Sequence, residues 1–214
     1  MTGFFLTVEG VDGAGKSTQA RLLAEALRSE GHEVVLTREP GGAPGAEEIR
    51  RLLLTGDPDR WSPVTETLLF FASRRDHLER TIRPALDRGA VVICDRFTDS
   101  TRAYQAAARP EAAGAARRLI DSLHAEVIGL DPDLTLIFDM SPEDALARGL
   151  ARDTDEARFE ALGDGFQAHL RATFHYIAAA EPARCRLIDA TGDVEAVAAR
   201  VAPVVRAALE ARDG

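Results

Sequence analysis

The chain has 214 residues, of which 45% are hydrophobic and 29% are charged. This length suits one compact domain, and the proportions of hydrophobic and charged residues exclude a disordered, collagen-like or coiled-coil protein. The net charge is −9, from 26 basic and 35 acidic residues, which argues against a nucleic-acid binder or a protein that docks on an anionic membrane. Lys16 is the only lysine, so its position in the sequence deserves particular notice.

Short apolar segments alternate with longer amphipathic segments along the chain. The apolar segments predict strands at residues 4–8, 34–37, 90–94, 134–138 and 186–188. The amphipathic segments predict helices at residues 17–30, 46–54, 64–78, 99–108, 111–128, 163–180 and 194–212. The third helix continues toward residue 88 with a break near Pro84, and Ser141 followed by Pro142 predicts another helix start. This alternation predicts an α/β fold, with a mostly parallel sheet covered on both faces, in a single domain over residues 1–214.

The cysteines and the N-terminus bear on the cellular compartment. Cys94 and Cys185 are too few for a disulfide framework, and each adjoins a short apolar run, so we expect buried free thiols. The first residues show no basic segment ahead of an apolar core, and no apolar run approaches the ~18 residues of a membrane span. A cytoplasmic location is therefore expected.

The strongest motif lies between the first strand and the first helix. It matches the phosphate-binding pattern G-x-x-x-x-G-K-[ST], which requires this context. Glycines let the backbone wrap a phosphate, and the helix N-terminus adds positive potential. The lysine amine reaches the β- and γ-phosphates, and the serine hydroxyl suits Mg²⁺. The expected ATP-binding residues are Gly10, Val11, Asp12, Gly13, Ala14, Gly15, Lys16, Ser17 and Thr18.

A second pattern is an apolar strand that ends in an aspartate. Residues 91–94 lead into Asp95, which would lie near the same Mg²⁺. Residues 134–138 followed by Asp139 have the same form and compete for the assignment. Arg96 favours the first segment, because an arginine at the carboxyl end of a parallel strand lies at the ligand crevice and suits a phosphate. A surface ion pair is the alternative for Arg96 taken alone.

Other residues carry weaker signals. Phe70 and Arg74 are four residues apart, so they share a helix face and could stack on and hydrogen-bond a base. The alternative puts Phe70 in the core and Arg74 in solvent. The stretch that contains Arg148, Arg152 and Arg158 has an equally simple alternative, which is a solvated charged loop.

Taken in order, these motifs resemble those of the thymidylate kinase family over nearly the whole chain. The matching stretches are Gly-Val-Asp-Gly-Ala-Gly-Lys-Ser-Thr at 10–18, Arg-Glu-Pro-Gly-Gly at 38–42, Leu-Leu-Phe-x-Ala-x-Arg at 68–74, Asp-Arg-Phe-x-x-Ser-x-x-Ala-Tyr-Gln at 95–105 and Arg-Phe-Glu at 158–160. The resemblance implies a P-loop nucleotide kinase fold with a five-stranded parallel sheet, flanking helices and a mobile lid at about 148–160. It also implies transfer of the γ-phosphate of ATP to dTMP, giving dTDP for dTTP synthesis, by a homodimer that pairs through the helices at 46–54 and 64–78.

The resemblance assigns roles to individual residues. Arg38 and Arg96 hold the acceptor phosphate, and Phe70 and Arg74 hold thymine by stacking and by a hydrogen bond to a base carbonyl. Asp12, Thr101 and Tyr104 face the sugar and the base. The implied dTMP-binding set is therefore Asp12, Arg38, Phe70, Arg74, Arg96, Thr101 and Tyr104. The metal ligands expected from the two motifs described above are Ser17 and Asp95.

The resemblance also bears on the catalytic cations. The interior of the phosphate loop, residues 11–14, carries no positive side chain. The transferring phosphoryl group needs a cation besides Lys16, and the arginines after the fourth strand are the available source. We therefore expect Arg152 to lead and Arg148 to assist, together with Lys16 and Arg96, while Arg158 is structural.

Two rival functions remain in view from the sequence. Another P-loop nucleotide or nucleoside kinase would share the phosphate loop, and the combination of Phe70, Arg74 and residues 95–105 argues against it. A GTP-dependent switch would need an Asn-Lys-x-Asp guanine reader, which a chain with one lysine, inside the phosphate loop, does not contain.

Overall fold

The computed structural model describes residues 3–57, 60–108, 112–149 and 163–213, and these residues contain one sheet of five parallel strands in the order β2-β3-β1-β4-β5. The strands are β1 (Phe4–Gly10), β2 (Val34–Arg38), β3 (Val91–Asp95), β4 (Leu134–Asp139) and β5 (Cys185–Asp189). All four neighbouring pairs are parallel. The predicted α/β fold is confirmed, and β1 lies at the centre with every residue buried.

Helices connect the strands. They are α1 (Lys16–Ser29), α2 (Pro44–Leu54), α3 (Pro63–His77), α4 (Arg83–Asp87), α5 (Thr98–Ala108), α6 (Ala113–Leu123), α7 (Pro142–Gly149), α8 (Gly163–Ala180) and α9 (Val194–Asp213). Ser141 caps α7, because its hydroxyl accepts a hydrogen bond from Asp144 N at 3.1 Å.

Two of the predicted long helices are interrupted by π-helical turns. The stretch predicted as one helix from 64 toward 88 contains α3, a π turn (Leu78–Ile82) and α4. The stretch predicted at 111–128 contains α6 and a second π turn (His124–Ile128). Pro84 lies in the first turn of α4, where its missing N–H is tolerated, so the interruption precedes the proline.

The sheet separates two hydrophobic cores. Successive side chains of β1 point to opposite faces, so Leu6 and Val8 join one cluster while Phe5 joins the other. The first cluster includes buried residues of α1, α8 and α9, and the second includes residues of α3 and α4. Among the described residues both faces of the sheet are therefore covered, and the strand ends are where α/β proteins of this kind bind ligands.

Two further expectations concern the thiols and the membrane. Cys94 and Cys185 are both buried and free, as predicted. Within the described ranges, no helix has the length and apolar composition needed to cross a membrane.

Candidate active site

The carboxyl ends of parallel strands meet at one edge of the sheet, where α/β proteins bind ligands. Here β1 ends at Gly10, β2 at Arg38 and β3 at Asp95, and these three strands are neighbours in the order β2-β3-β1. The residues singled out from the sequence therefore follow adjacent strand ends. The fold brings the phosphate loop and the Asp95-Arg96 pair together.

Close backbone packing explains the glycines of the phosphate loop. Gly10 has φ +128° and Gly13 has φ +82°, which are conformations that other residues rarely adopt. A Cβ atom on Gly10 would lie 2.4 Å from Phe138 O, and one on Gly13 would lie 2.1 Å from Ala145 O. The loop is thus pressed against β4 on one side and α7 on the other.

Lys16 is almost fully buried at the start of α1, with 6% of its surface exposed. Its Nζ donates a 2.7 Å hydrogen bond to Val11 O and lies 3.8 Å from Asp12 Oδ1. The amine is thereby held against the loop that would wrap the phosphates.

Ser17 and Asp95 form a pair of oxygen ligands. Ser17 Oγ donates to Asp95 Oδ2 at 2.5 Å, although the residues are 78 positions apart. Asp95 Oδ1 is buried and makes no hydrogen bond within the part of the chain that the structure describes. The competing Asp139 is engaged elsewhere, since it accepts two hydrogen bonds from Arg171 and one from His175. The geometry favours Asp95 as the partner of Ser17.

Arg96 has a left-handed backbone, with φ 71°. Its Nη2 hydrogen-bonds Asp12 Oδ1, its Nη1 donates to Ser100 Oγ at 3.2 Å, and its guanidinium lies 5.1 Å from the centre of the Tyr104 ring. Tyr104 in turn donates to Asp12 Oδ2 at 2.7 Å. Arg96 therefore does not form the surface ion pair considered as the alternative. It belongs to a partly buried network with Asp12 and Tyr104, which are two of the predicted dTMP contacts.

Arg74 lies in the interior, with 2% of its surface exposed, so the solvent alternative is excluded. Its Nε donates to Glu39 Oε2 at 2.7 Å and its Nη2 donates to Thr101 Oγ1 at 3.0 Å. The rings of Phe71 and Phe97 flank its guanidinium at 5.0 and 5.1 Å. Among the described residues, its Nη1 is buried without a hydrogen-bond partner.

A buried chain of hydrogen bonds behind Arg74 was not apparent in the sequence. Glu39 Oε1 is hydrogen-bonded to His77 Nδ1 at 3.0 Å, and His77 Nε2 is hydrogen-bonded to Thr37 Oγ1 at 2.7 Å. Ligand-type atoms of Glu39, His77 and Cys94 lie within 4.8 Å of one another. Because Glu39 already holds both Arg74 and His77, the cluster fixes the orientation of the arginine.

A cleft opens beside these side chains between α3 and α5. It contains most of the predicted dTMP contacts together with residues that sequence reasoning did not single out, and its lining is Asp12, Glu39, Pro40, Arg50, Leu54, Glu66, Phe70, Arg74, Arg96, Phe97, Ser100, Thr101, Tyr104, Gln105 and Ala108. Arg38 lies outside this lining. Its side chain is 54% exposed and pairs with Glu47, whereas Arg50 lines the cleft and donates to Pro40 O at 2.8 Å.

Of the three arginines singled out after β4, the structure describes one, Arg148. Arg148 Nη1 donates to Ala190 O at 3.0 Å and its Nη2 donates to Gly192 O at 2.7 Å, so it braces the loop after β5. Arg152 and Arg158 lie outside the described residues, as does most of the predicted lid at 148–160. The catalytic roles of Arg152 and Arg148 stay predictions.

Glu9 is the second functional candidate that the sequence did not reveal. It precedes the phosphate loop on β1, is fully buried, and accepts a 2.7 Å hydrogen bond from Phe97 N. Burial, reinforced by the negative charge of Asp99, raises the pKa of Glu9 to about 8. The available signal was a charged residue directly after the strand predicted at residues 4–8, at the start of the phosphate loop.

Comparisons with known proteins agree with one another. A family model described as Thymidylate kinase matches residues 8–201. A protein of Ruegeria pomeroyi with the name Thymidylate kinase is 61% identical over 204 residues, which are 95% of each chain. A protein of Caulobacter vibrioides with the same name is 55% identical over 95% of this chain and 96% of its own. A crystal structure of thymidylate kinase from Ehrlichia chaffeensis matches with a TM-score of 0.75 and 36% identity, covering 96% of this chain and 99% of that chain.

Proposed function

The chain belongs to the thymidylate kinase family, whose members phosphorylate dTMP to dTDP with ATP, and on this premise we propose which of its residues perform each part of that reaction. The observation that carries the proposal is Arg74. Its guanidinium is held by Glu39, Thr101 and two aromatic rings, while one nitrogen is left for a ligand of the cleft. A buried, oriented donor of this kind reads a base carbonyl.

The remaining acceptor contacts follow from the cleft. Phe70 lines it beside Arg74 and stacks on the pyrimidine ring. Asp12 and Tyr104 meet the deoxyribose, and Arg96 binds the phosphate through its planar guanidinium. When dTMP binds, its phosphate competes with Asp12 for Arg96. The role of Arg38 in phosphate binding stays a prediction, and Arg50 is the cleft arginine nearest to it in sequence.

The donor side is the phosphate loop. Its backbone N–H groups and the N-terminus of α1 surround the ATP phosphates, and Lys16 exchanges Val11 O for phosphate oxygens. The free Asp95 Oδ1 next to Ser17 fits a hard cation that prefers oxygen ligands, so these two residues would hold Mg²⁺. Bound Mg²⁺ supplies charge neutralisation at the transferred phosphoryl group.

The chemistry is direct transfer. An oxygen of the dTMP phosphate forms a bond to the γ-phosphorus of ATP while the bond between that phosphorus and the β–γ bridging oxygen breaks, giving dTDP and ADP. Both reactants are anions, so the protein must offset their repulsion. Buried Lys16 and partly buried Arg96 supply positive charge from the described part of the chain, and Arg152 would add to it from the lid.

We further propose a homodimer that forms through α2 and α3. Three large apolar side chains are exposed on these adjacent helices: Leu52 at 41%, Val64 at 54% and Leu68 at 47%. Val64 and Leu68 are four residues apart and share a helix face. Pairing of two copies would cover this apolar surface.

The assay that tests the acceptor site couples ADP formation to a panel of dTMP, dUMP, dCMP, dGMP and AMP. We expect dTMP to be the best acceptor and dUMP to be weaker but detectable, because it lacks the methyl group that packs beside Phe70. AMP activity comparable to that with dTMP would refute the assignment of the cleft.

Arg74→Lys refines this test, because lysine keeps the charge beside Glu39 and lacks the planar fork. Loss of a charge-assisted hydrogen bond of about 1.5–3 kcal/mol should raise the KM for dTMP by about 10- to 100-fold and leave the KM for ATP unchanged. The matched control is Arg75→Lys on the same helix. Arg75 pairs with Glu79 and Val127 O away from the cleft, so both KM values should stay as in the parent protein.

A further inference from the structure

Glu9 carries a carboxyl group on β1, the central strand of the sheet, where every residue is buried. It is the penultimate residue of β1, it is 0% exposed, and it lies directly before the phosphate loop. An acidic side chain in such a place is costly unless its oxygens are hydrogen-bonded. The partners of those oxygens therefore indicate why the residue is there.

Both carboxyl oxygens of Glu9 contact the segment that follows β3. Oε1 accepts a 2.7 Å hydrogen bond from Phe97 N, and Oε2 is hydrogen-bonded to Ser100 Oγ. Phe97 and Ser100 lie 88 and 91 positions away in the chain. One side chain of the central strand thus ties down both the turn after β3 and the first turn of α5.

Arg96 directly precedes Phe97 and is held by the same set of backbone hydrogen bonds. Its own N–H donates to Val8 O at 3.0 Å, and the next N–H, that of Phe97, donates to Glu9. The backbone of Arg96 is left-handed at φ 71°, a conformation that costs a non-glycine residue energy and persists only where its surroundings enforce it. The two amides on either side of the Arg96 α-carbon are both anchored to β1.

Glu9 is also linked to the side chain of Arg96, through the hydroxyl of Ser100. Ser100 Oγ accepts a 3.2 Å hydrogen bond from Arg96 Nη1 while it contacts Glu9 Oε2. Glu9 therefore acts on Arg96 through the backbone of Phe97 and through the hydroxyl of Ser100.

We propose that Glu9 is a positioning residue of the acceptor-phosphate site, which holds the left-handed turn and the guanidinium of Arg96 in the orientation that binds the phosphate of dTMP. This inference rests on the proposed function, because that function assigns the phosphate to Arg96. Glu9 does not touch the phosphate. Its loss should therefore weaken recognition of the phosphate and leave recognition of the base intact.

The experiment compares the binding of dTMP and of thymidine, which lacks the phosphate, by calorimetry. Glu9→Met keeps a side chain of similar length and removes both hydrogen bonds. Loss of a charged contact at Arg96 should weaken dTMP binding by about 10-fold or more, with thymidine binding changed by less than about 2-fold. Glu9→Gln should keep nearly parental binding of both ligands, because its amide oxygen accepts from Phe97 N and its NH₂ group donates to Ser100 Oγ.

Three further variants separate the possible failures. Ser100→Ala removes only the side-chain route and keeps the inference testable if Glu9→Met does not fold; it should give a smaller loss confined to dTMP. Glu39→Gln is the matched control, since Glu39 holds Arg74 and its loss should weaken dTMP and thymidine equally. Arg96→Ala gives the full contribution of the phosphate contact, and combining it with Glu9→Met should produce less than the sum of the two losses.

The outcomes are distinct. Equal weakening of dTMP and thymidine in Glu9→Met, or full additivity with Arg96→Ala, would overturn the role of Glu9 while leaving the proposed function intact. If Arg96→Ala itself leaves the preference for dTMP over thymidine unchanged, the phosphate assignment fails, and the inference fails with it.

Discussion

Replacing Glu9 with glutamine should change how the stability of the protein depends on pH. Burial raises the pKa of Glu9 from 4.5 to about 8, and Asp99 adds to the increase, while Ser100, Arg96 and Phe97 N oppose it. The native protein is therefore protonated at Glu9 at neutral pH, whereas the unfolded chain is ionised there. The native state binds one more proton, so stability is lost as the pH rises from about 4.5 to about 8.

The size of this effect follows from the difference between the two pKa values. Each pH unit in the window costs about 1.4 kcal/mol, so the full window of about 3.5 units corresponds to about 5 kcal/mol as an upper value. Glutamine cannot ionise and escapes this loss. The stability of the Glu9→Gln variant relative to the parent should thus increase steadily between pH 5 and 8 and level off above that range.

The assay is urea unfolding of both proteins at half-unit steps from pH 5 to 9. In the native protein Asp99, whose pKa is lowered by Arg184 and Arg102, and the thiols of Cys94 and Cys185, whose pKa values are raised by burial, keep one protonation state across this range. Glu33→Gln on the surface controls for the loss of one negative charge from the whole molecule. A stability difference that does not change across this range would refute the reasoning, because Glu9 would then be ionised in the native protein and paired with Arg96.

Three other predictions concern the reaction and the assembly. Lys16→Ala should reduce turnover by about 10³-fold or more with the fold intact, since no other lysine is available; circular dichroism and the coupled assay check this, and near-parental turnover would contradict it. Sedimentation should give about twice 23.1 kDa. Leu68→Arg should favour the monomer by placing a charge in the apolar patch, while Leu22→Arg on α1 should not; a fully active parental monomer would exclude the dimer. Arg152→Ala should lower kcat strongly with ATP affinity unchanged; unchanged kcat in both Arg152→Ala and Arg148→Ala would remove the lid from catalysis.

Local patterns were sufficient to predict the strands and the phosphate loop. The segment predicted as the first strand is an apolar run, and it forms most of β1. In the loop after it, the backbone conformation of Gly13 and its close contact with Ala145 leave no room for a side chain. Periodicity also predicted α8 with its observed bounds, Gly163–Ala180. It did not predict the π turn at Leu78–Ile82, because five residues are too few for their period to differ visibly from that of an α-helix.

Pairings between distant residues could not be read from local patterns. Glu39 and His77 are 38 positions apart, and Glu9 and Phe97 are 88 apart. The sequence around each residue therefore gives no indication of these two hydrogen bonds. The direction of a surface side chain is equally hidden. Arg38 follows β2 as predicted and pairs with Glu47, whereas Arg50 reaches the cleft from α2.

The central place of β1 has a consequence for how the protein folds. Phe5 N and Thr7 Oγ1 are hydrogen-bonded to Asp133 and Thr135, each 128 positions along the chain. Pairing residues so far apart in the chain costs loop-closure entropy before the stabilising contacts form. On the ribosome, β1 keeps an open edge until residues 134–139 have emerged, although the phosphate loop is made before them. The nascent chain should therefore become able to bind nucleotide well after its phosphate loop has been made.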